Sequence, residues 1–120
     1  MSEIQLGALE FEFAEIIWAN EPVTSAQLCK LAAEALNWHK STTYTVLRRI
    51  CAKGIFRNDN STVTSILKRD DYFTARSRCV VNEEFDGSLP AFIAAFAKNE
   101  KLTAEQAEAL RVLIDKSECK

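Results

Sequence analysis

The chain has 120 residues, of which 48% are hydrophobic and 27% charged, and its net charge is -2 at pH 7. This composition excludes a disordered chain, and the low content of glycine and proline favours a mostly helical fold over a sandwich or barrel. By length the chain forms one ordinary domain, or two small halves that share a core.

The sequence carries no signal for a membrane, a metal or a disulfide. No window approaches membrane-spanning length, and the first ten residues lack a basic n-region and an apolar h-region. We therefore expect a cytoplasmic protein without membrane contact. The four cysteines are irregularly spaced and are accompanied by a single histidine: Cys29, Cys51, Cys79 and Cys119. We expect reduced thiols, no metal and no cofactor.

The charges are unevenly distributed along the chain. Residues 31–80 hold nine basic and four acidic side chains, a net of +5, whereas residues 1–30 have a net of -4 and residues 81–120 a net of -3. A positive middle segment between two acidic ends is what a DNA-facing surface on an otherwise acidic protein needs.

The first predicted helix runs from about Ala8 to Asn20, before Pro22. Its buried stripe is predicted to consist of large apolar residues, namely Leu9, Phe13, Ile16 and Ile17. Three acidic side chains are predicted to point mostly toward solvent, namely Glu10, Glu12 and Glu15. The residues from Pro22 to Thr24 are predicted to form an extended connector.

The second predicted helix follows at once, with Thr24 or Ser25 as its N-cap, and ends near Asn37. Apolar residues recur on it at helical spacing: Leu28, Leu31, Ala32, Ala35 and Leu36. A four-residue break, 37–40, separates it from a third helix. Two helices joined this tightly predict a helix-turn-helix.

The third helix lies within WHKSTTYTVLRRICAKG, Trp38 to Gly54, and has two different faces. One is an apolar stripe: Thr43, Val46, Leu47, Ile50 and Cys51. The opposite face carries hydroxyls and guanidinium groups but no carboxylate: Ser41, Thr42, Thr45, Arg48 and Arg49. Solvated helix faces usually mix acids and bases, so this pattern favours an anionic partner and predicts a DNA recognition helix. The alternative is a solvated face that happens to lack acids. Ser41 or Thr42 is the predicted N-cap, and Gly54 the predicted C-cap.

A hairpin is predicted after Gly54, with Ile55–Arg57 as one strand, Asn58–Ser61 as the turn and Thr62–Leu67 as the other strand. Three helices followed by a two-stranded hairpin predict a winged helix. The predicted turn contains an acid and no base. Only Arg57 at its root, with Lys68 and Arg69 beyond, could therefore meet phosphates.

The remaining residues are predicted to form three helices, the first capped by Asp70 or Asp71, the second by Ser88 and the third by a capping box of Thr103 and Gln106. They carry more large apolar side chains than three short helices can bury. We therefore predict a winged-helix DNA-binding domain over 1–69 and a helical dimerisation domain over 70–120. The alternative is that the tail packs on its own N-terminal half. The predicted dimer residues are Phe85, Leu89, Phe92, Ile93, Phe96, Leu110, Leu113 and Ile114.

The predicted DNA contacts follow from side-chain chemistry. Arg48 and Arg49 would reach phosphate or a guanine edge, and Tyr44 would lie against the backbone or a thymine methyl. The hydroxyls of the same face would donate to bases or phosphates: Ser41, Thr42 and Thr45.

The residues also resemble the penicillinase and methicillin-resistance repressors (BlaI/MecI type) and their copper-responsive relatives. The likeness rests on LEFEFAEIIW, PVTSAQL, W-x-x-x-T-x-x-T-x-L-x-R, KGIF, FDGSLPAFIAAF and LTAEQAEALRVLID, and covers nearly the whole chain. It implies a winged-helix repressor that binds a dyad-symmetric operator in double-stranded DNA as a homodimer, with the C-terminal helices forming the dimer. The residues that match the family's recognition helix are Trp38, Thr42, Thr45 and Arg49.

The sequence departs from this family at four places. The family more often has a basic residue at Ser41, and the nearest one here is Lys40. Residues 61–66 lack the family's basic and aromatic wing residues. The copper-responsive branch has paired cysteines near the C-terminus, where this chain has only Cys119. The penicillinase branch is cleaved at an Asn-Phe bond, and the aligned bond here is Ala95-Phe96, so cleavage by a sensor protease is not supported.

Three rival functions are weighed against the repressor. A winged-helix dimer that serves as an adaptor and no longer binds DNA is favoured by the plain wing and the acidic pI, and opposed by the acid-free helix face. A thiol sensor at Cys51 or Cys79 is disfavoured because Cys51 lies on the core stripe. An enzyme is the least favoured class, because one histidine and scattered carboxylates give no acid-base or nucleophile constellation.

Overall fold

The computed structural model describes residues 4–118, so Cys119 lies outside the described residues. The elements in chain order are α1 (Ala8–Asn20), β1 (Val23–Thr24), α2 (Ser25–Leu36), α3 (Lys40–Ala52), β2 (Phe56–Asp59), β3 (Thr62–Ser65), α4 (Arg69–Glu84), α5 (Leu89–Ala97) and α6 (Ala104–Ser117). The protein is mainly helical with one small sheet, which confirms the predicted winged helix followed by C-terminal helices. Across the described part of the chain, the helices are too short or too polar to traverse a bilayer.

The sheet has three antiparallel strands in the order β1-β3-β2, so the prediction of a two-stranded wing was incomplete. The predicted connector after Pro22 is in fact strand β1, in which Val23 pairs with Val63 and Thr24 with Thr62. Val23 and Val63 are both buried, so this short pairing closes one edge of the wing and covers part of the core.

The β2–β3 turn is tighter than predicted. Asn58 and Asp59 belong to β2, where they pair with Val63 and Thr62. The turn is therefore the two residues Asn60 and Ser61, both with positive φ (52° and 66°). Two consecutive positive φ values are typical of a type I′ turn, whose twist matches that of the flanking strands.

The buried core is formed by α1, α2, α3, the sheet and the start of α4. Its largest fully buried side chains include Phe13, Phe56, Ile17 and Leu28. Trp18 lies at the edge of this core, with its ring 5.3 Å from that of Phe56 and its Nε1 donating to the Leu67 carbonyl at 3.0 Å.

Two predicted core positions were wrong. Leu9 is 59% exposed, whereas α1 buries Ala14 together with the predicted Phe13 and Ile17. The buried stripe of α1 is thus rotated away from Leu9 and toward Ala14. Ala35, near the end of α2, is likewise exposed.

The N-cap of α2 is Thr24, one of the two predicted residues, and it forms a capping box with Gln27. Gln27 N–H donates to Thr24 Oγ1 at 3.1 Å, and Thr24 N–H donates to Gln27 Oε1 at 3.0 Å. These two bonds satisfy backbone donors that the first helical turn leaves unpaired.

Two other predicted N-caps were wrong because the helices begin earlier. The N-cap of α3 is His39, which makes no side-chain capping bond, so Ser41 and Thr42 lie in the first turn. Helix α4 begins at Arg69, which places Asp70 and Asp71 in its first turn. Acidic residues there still favour the helix through its dipole.

The chain divides between Val80 and Val81 into two compact units, here called the N-terminal unit (residues 4–80) and the C-terminal unit (residues 81–118). In the C-terminal unit, Ser88 Oγ caps α5 by accepting from Ala91 N–H at 3.1 Å, and Thr103 with Gln106 forms the predicted capping box of α6. The break before α5 lies at Asp86 and Gly87, both with positive φ.

Candidate nucleic-acid interface

Helix α3 presents the two faces that its sequence predicts. The stripe of Thr43, Val46, Leu47 and Ile50 is buried, and Cys51 is half-buried. All five residues of the opposite face are exposed: Ser41, Thr42, Thr45, Arg48 and Arg49. Four of them line a shallow groove together with the edge of Val46. Burial of the apolar stripe therefore fixes which side chains face outward.

The turn between α2 and α3 is held by Asn37, which adopts the left-handed conformation (φ 59°). Asn37 N–H donates to the Ala33 carbonyl at 3.1 Å and Trp38 N–H to the Ala32 carbonyl at 3.4 Å. Asparagine tolerates this conformation better than most residues, and the two bonds close the end of α2. The three residues between the helices thus form a compact turn.

Trp38 lies at this turn and packs inward. Its ring is 5.2 Å from that of Phe13, and its side chain is half-buried at the edge of the core. The structure therefore gives Trp38 a contact that supports the start of α3. Lys40 is exposed at the first turn of α3, and Tyr44 is half-buried on its flank.

The wing adds one exposed cation, Arg57, which pairs across the sheet with Thr64. The two other basic residues expected beyond it are ion-paired. Lys68 Nζ is 3.6 Å from Glu21 Oε2, and Arg69 donates to both oxygens of Glu15 at 2.8 and 3.1 Å. These two side chains are therefore partly committed to α1 and its end.

An acid from α1 reaches the α3 face, which sequence reasoning missed. The Glu10 side chain is only 12% exposed. Its Oε1 accepts from Lys53 Nζ at 2.6 Å and from Gly7 N–H at 2.9 Å, while its Oε2 lies 3.5 Å from Arg49 Nη1. The prediction that Glu10 points toward solvent was therefore wrong. The only sequence signal was its place in the first turn of α1, where a glutamate often caps the helix start.

The three cations of the candidate interface that are free of this acid are Lys40, Arg48 and Arg57. None of them forms an ion pair with another residue between positions 4 and 118. Exposed cations without an internal counter-ion are available to an external anion, and the neighbouring hydroxyls of α3 supply donors that carry no charge.

Comparison with known proteins assigns the chain to a family. The family model described as "Penicillinase repressor" matches residues 6–116. The chain belongs to the penicillinase repressor family. It is 22% identical over 115 residues to the penicillinase repressor of Bacillus licheniformis, covering 92% of this chain and 90% of that protein. It is also 22% identical over 116 residues to the methicillin resistance regulatory protein MecI of Staphylococcus aureus (strain Mu50), covering 93% of this chain and 94% of that protein.

Membership of the penicillinase repressor family makes this chain one of a family of transcriptional repressors and not of enzymes. The match spans both units, so it applies to the C-terminal helices as well as to α3. At 22% identity, most individual side chains differ from those of the two relatives.

The C-terminal unit has no buried residue among those that the structure describes. Of the predicted dimer residues, Phe85 and Phe92 meet edge to face with ring centroids 5.4 Å apart, and Ile93 and Leu110 are half-buried. The others are at least about half exposed: Leu89, Phe96, Leu113 and Ile114. Ala95 and Phe96 lie within α5 and are both exposed.

The cysteines in the described part of the chain form neither a disulfide nor part of a candidate metal site. Cys29, Cys51 and Cys79 are free, and within residues 4–118 no three His, Cys, Asp or Glu side chains converge on one point. Burial raises the pKa of the Cys51 thiol, which lowers the fraction of the reactive thiolate.

Proposed function

We propose that this chain represses transcription as a homodimer that binds a dyad-symmetric DNA operator, with α3 of each copy in the major groove. The observation that carries the proposal is the exposed face of α3, which carries hydroxyl and guanidinium side chains, with Lys40 in the first turn, and no carboxylate of its own. Major-groove base edges and flanking phosphates are acceptor-rich, and these side chains are donors. A reader of operators acts where the genes are, in the cytoplasm.

The exposed positive charges on α3 and the wing support the same orientation of α3 toward DNA. Lys40 and Arg48 extend along α3 and Arg57 lies on the wing, all exposed and without an internal counter-ion among the described residues. In this proposal they contact phosphates and set the register, while Thr42, Thr45 and Arg49 face base edges. Helix α3 itself carries no carboxylate, and the acid that contacts its exposed face is Glu10 of α1, through Arg49.

The homodimer is supported by the apolar side chains of the C-terminal unit. Leu113 and Ile114 of α6 are each 59% exposed, and Leu89 and Phe96 of α5 are similarly open. Monomeric proteins rarely leave such a set of large apolar side chains in water. A second copy that covers them would also present two α3 helices to two half-sites about one helical turn apart.

Footprinting on the DNA upstream of its own gene tests the proposal and supplies the operator sequence. We expect one protected, dyad-symmetric segment, and an affinity that falls steeply as salt rises from 50 to 200 mM, by roughly 10³-fold or more if six phosphates are neutralised. An adaptor that no longer binds DNA would protect no segment at any salt concentration.

The assignment of α3 is tested by Arg49→Ala. If Arg49 reads a guanine, the variant should lose about 1–3 kcal/mol of operator binding. Arg111→Ala is the matched control, because Arg111 is at least as exposed (68% against 56%) and its guanidinium pairs with Glu108 on α6. Unchanged operator affinity in Arg49→Ala would show that another surface reads the DNA.

A further inference from the structure

The Glu10 carboxylate is fixed in place before any partner arrives. Its Oε1 accepts two hydrogen bonds, from Lys53 Nζ and from Gly7 N–H, and Lys53 Nζ also donates to the Gln5 carbonyl at 2.7 Å. These bonds fasten the start of α1 to the end of α3. Partial burial alone would raise the pKa of the Glu10 carboxyl, but the bonds and charges from Lys53, Gly7 and Arg49 outweigh it and hold that pKa below its usual value. Glu10 is therefore ionised at neutral pH.

Arg49 is held by Glu10 through only one of its nitrogens. Arg49 Nη1 lies 3.5 Å from Glu10 Oε2, and its guanidinium makes no other hydrogen bond or ion pair between positions 4 and 118. A guanidinium has five N–H donors in a rigid planar fork, so most of them remain available. A guanine edge needs two such donors side by side.

We propose that Glu10 is a positioning residue that orients the Arg49 guanidinium for base reading and thereby sets the operator specificity of this protein. This inference rests on the proposed function. In the free protein the pair is exposed on its arginine side and contributes little to stability. In a DNA groove that excludes water, the same pair strengthens, because the effective dielectric constant falls.

Glu10 also acts against binding to the wrong sequences. An arginine that nothing orients can meet any phosphate, and phosphates are present in every duplex. A carboxylate behind the guanidinium repels phosphates and restricts the arginine to one direction, so non-specific duplexes gain less than the operator. The quantity that Glu10 controls is therefore the ratio of operator affinity to random-duplex affinity.

The test is Glu10→Gln, measured against the footprinted operator duplex and a random duplex of equal length at one salt concentration. Glutamine can still accept from Gly7 N–H, so the start of α1 is retained, and circular dichroism checks the fold. We expect the ratio of the two affinities to fall about 3- to 10-fold, with random-duplex binding unchanged or tighter. If the amide destabilises α1, Glu10→Asp repeats the test with the charge kept and the reach shortened.

Glu15→Gln is the matched control. It lies on the same helix and its carboxylate also pairs with an arginine, but that arginine is Arg69, which is not on α3. We expect Glu15→Gln to have the same ratio of operator affinity to random-duplex affinity as the wild type. A similar fall in both variants would show that loss of any acid from α1 changes DNA binding, and would overturn the specific role of Glu10.

A double-mutant cycle shows whether Glu10→Gln changes the affinity ratio through Arg49 or through Lys53. In the Arg49→Ala background, Glu10→Gln should change the ratio no further. Two results would overturn the positioning role while leaving the proposed operator binding intact. One is a full effect of Glu10→Gln in the Arg49→Ala background. The other is an unchanged affinity ratio in Glu10→Gln although Arg49→Ala lowers it. Absence of any duplex binding by the wild type would instead reject the proposed function and this inference with it.

Discussion

The two units of this protein treat their apolar side chains in opposite ways. The N-terminal unit buries Phe13, Ile17, Leu47 and Phe56 completely, whereas no described residue of the C-terminal unit is buried. Burial of apolar surface is the dominant favourable term in folding. The N-terminal unit therefore has a core of its own, while in our proposal a second copy covers the apolar side chains of the C-terminal unit. The same proposal makes the N-terminal unit the one that reads DNA and the C-terminal unit the one that brings two copies together.

The largest predicted effect comes from a substitution in the buried core of the N-terminal unit. Phe13→Ala removes a fully buried ring that packs against Trp38, and we expect a loss of about 3–5 kcal/mol in the free energy of unfolding. Urea denaturation followed by circular dichroism measures it. A loss below about 1 kcal/mol would mean that Phe13 does not belong to a close-packed core.

A charge introduced among the exposed apolar side chains of the C-terminal unit should disrupt the proposed homodimer. We expect Leu113→Asp to convert a dimer to a monomer in equilibrium sedimentation and to weaken operator binding by roughly 10²- to 10⁴-fold, because two linked readers become one. Leu9→Asp is the matched control, since Leu9 is also 59% exposed but lies on α1. If Leu113→Asp remained dimeric, the dimer would use another surface.

A third prediction uses the same cap in both units. Thr24 and Thr103 each begin a Thr-x-x-Gln capping box, so Thr24→Ala and Thr103→Ala should each cost about 1 kcal/mol. The cost at Thr24 should be the same at every protein concentration. The transition that Thr103→Ala shifts should depend on concentration, because a dimer gains stability by mass action. Two concentration-independent losses would show that the C-terminal unit folds without a partner.

The smallest predicted effect is a change in the free energy of unfolding at acidic pH. The pKa of Glu10 is lower in the folded protein than its ordinary value, so ionised Glu10 stabilises the fold at neutral pH. That contribution is present above the unfolded-state pKa of about 4.3 and is lost as pH falls through the lower folded-state value. The difference in unfolding free energy between wild type and Glu10→Gln should therefore narrow below about pH 4. Urea titrations at pH 7, 5 and 3.5 would reveal it, and a constant difference would show that Glu10 is not stabilised as an anion.

Regular periodicity explains which parts of the fold could be predicted from sequence. The two faces of α3 were predictable because Thr43, Val46, Leu47 and Ile50 repeat at helical spacing over about two turns. The caps at Thr24, Ser88 and Thr103 were predictable because capping chemistry is local.

Features that depend on distant partners were not predictable. Strand β1 has only two residues and exists because β3 lies beside it. The exposure of Leu9 is decided by the way α1 rotates against the core. The contact between Glu10 and Arg49 joins residues 39 positions apart, and no local pattern marks it. Whether Trp38 contacts DNA stays a prediction, and its packing on Phe13 gives it a structural task as well.

The packing of Trp38 on Phe13 and of Trp18 on Phe56 has a practical consequence for studying this protein. These two residues are the only tryptophans in the chain, and both belong to the N-terminal unit. Tryptophan emission is therefore a built-in optical reporter of that unit alone, with one ring at the entrance to α3 and the other beside the wing. Unfolding of the N-terminal unit, and the DNA binding that we propose for it, can be followed by fluorescence, while the C-terminal helices contribute no tryptophan signal.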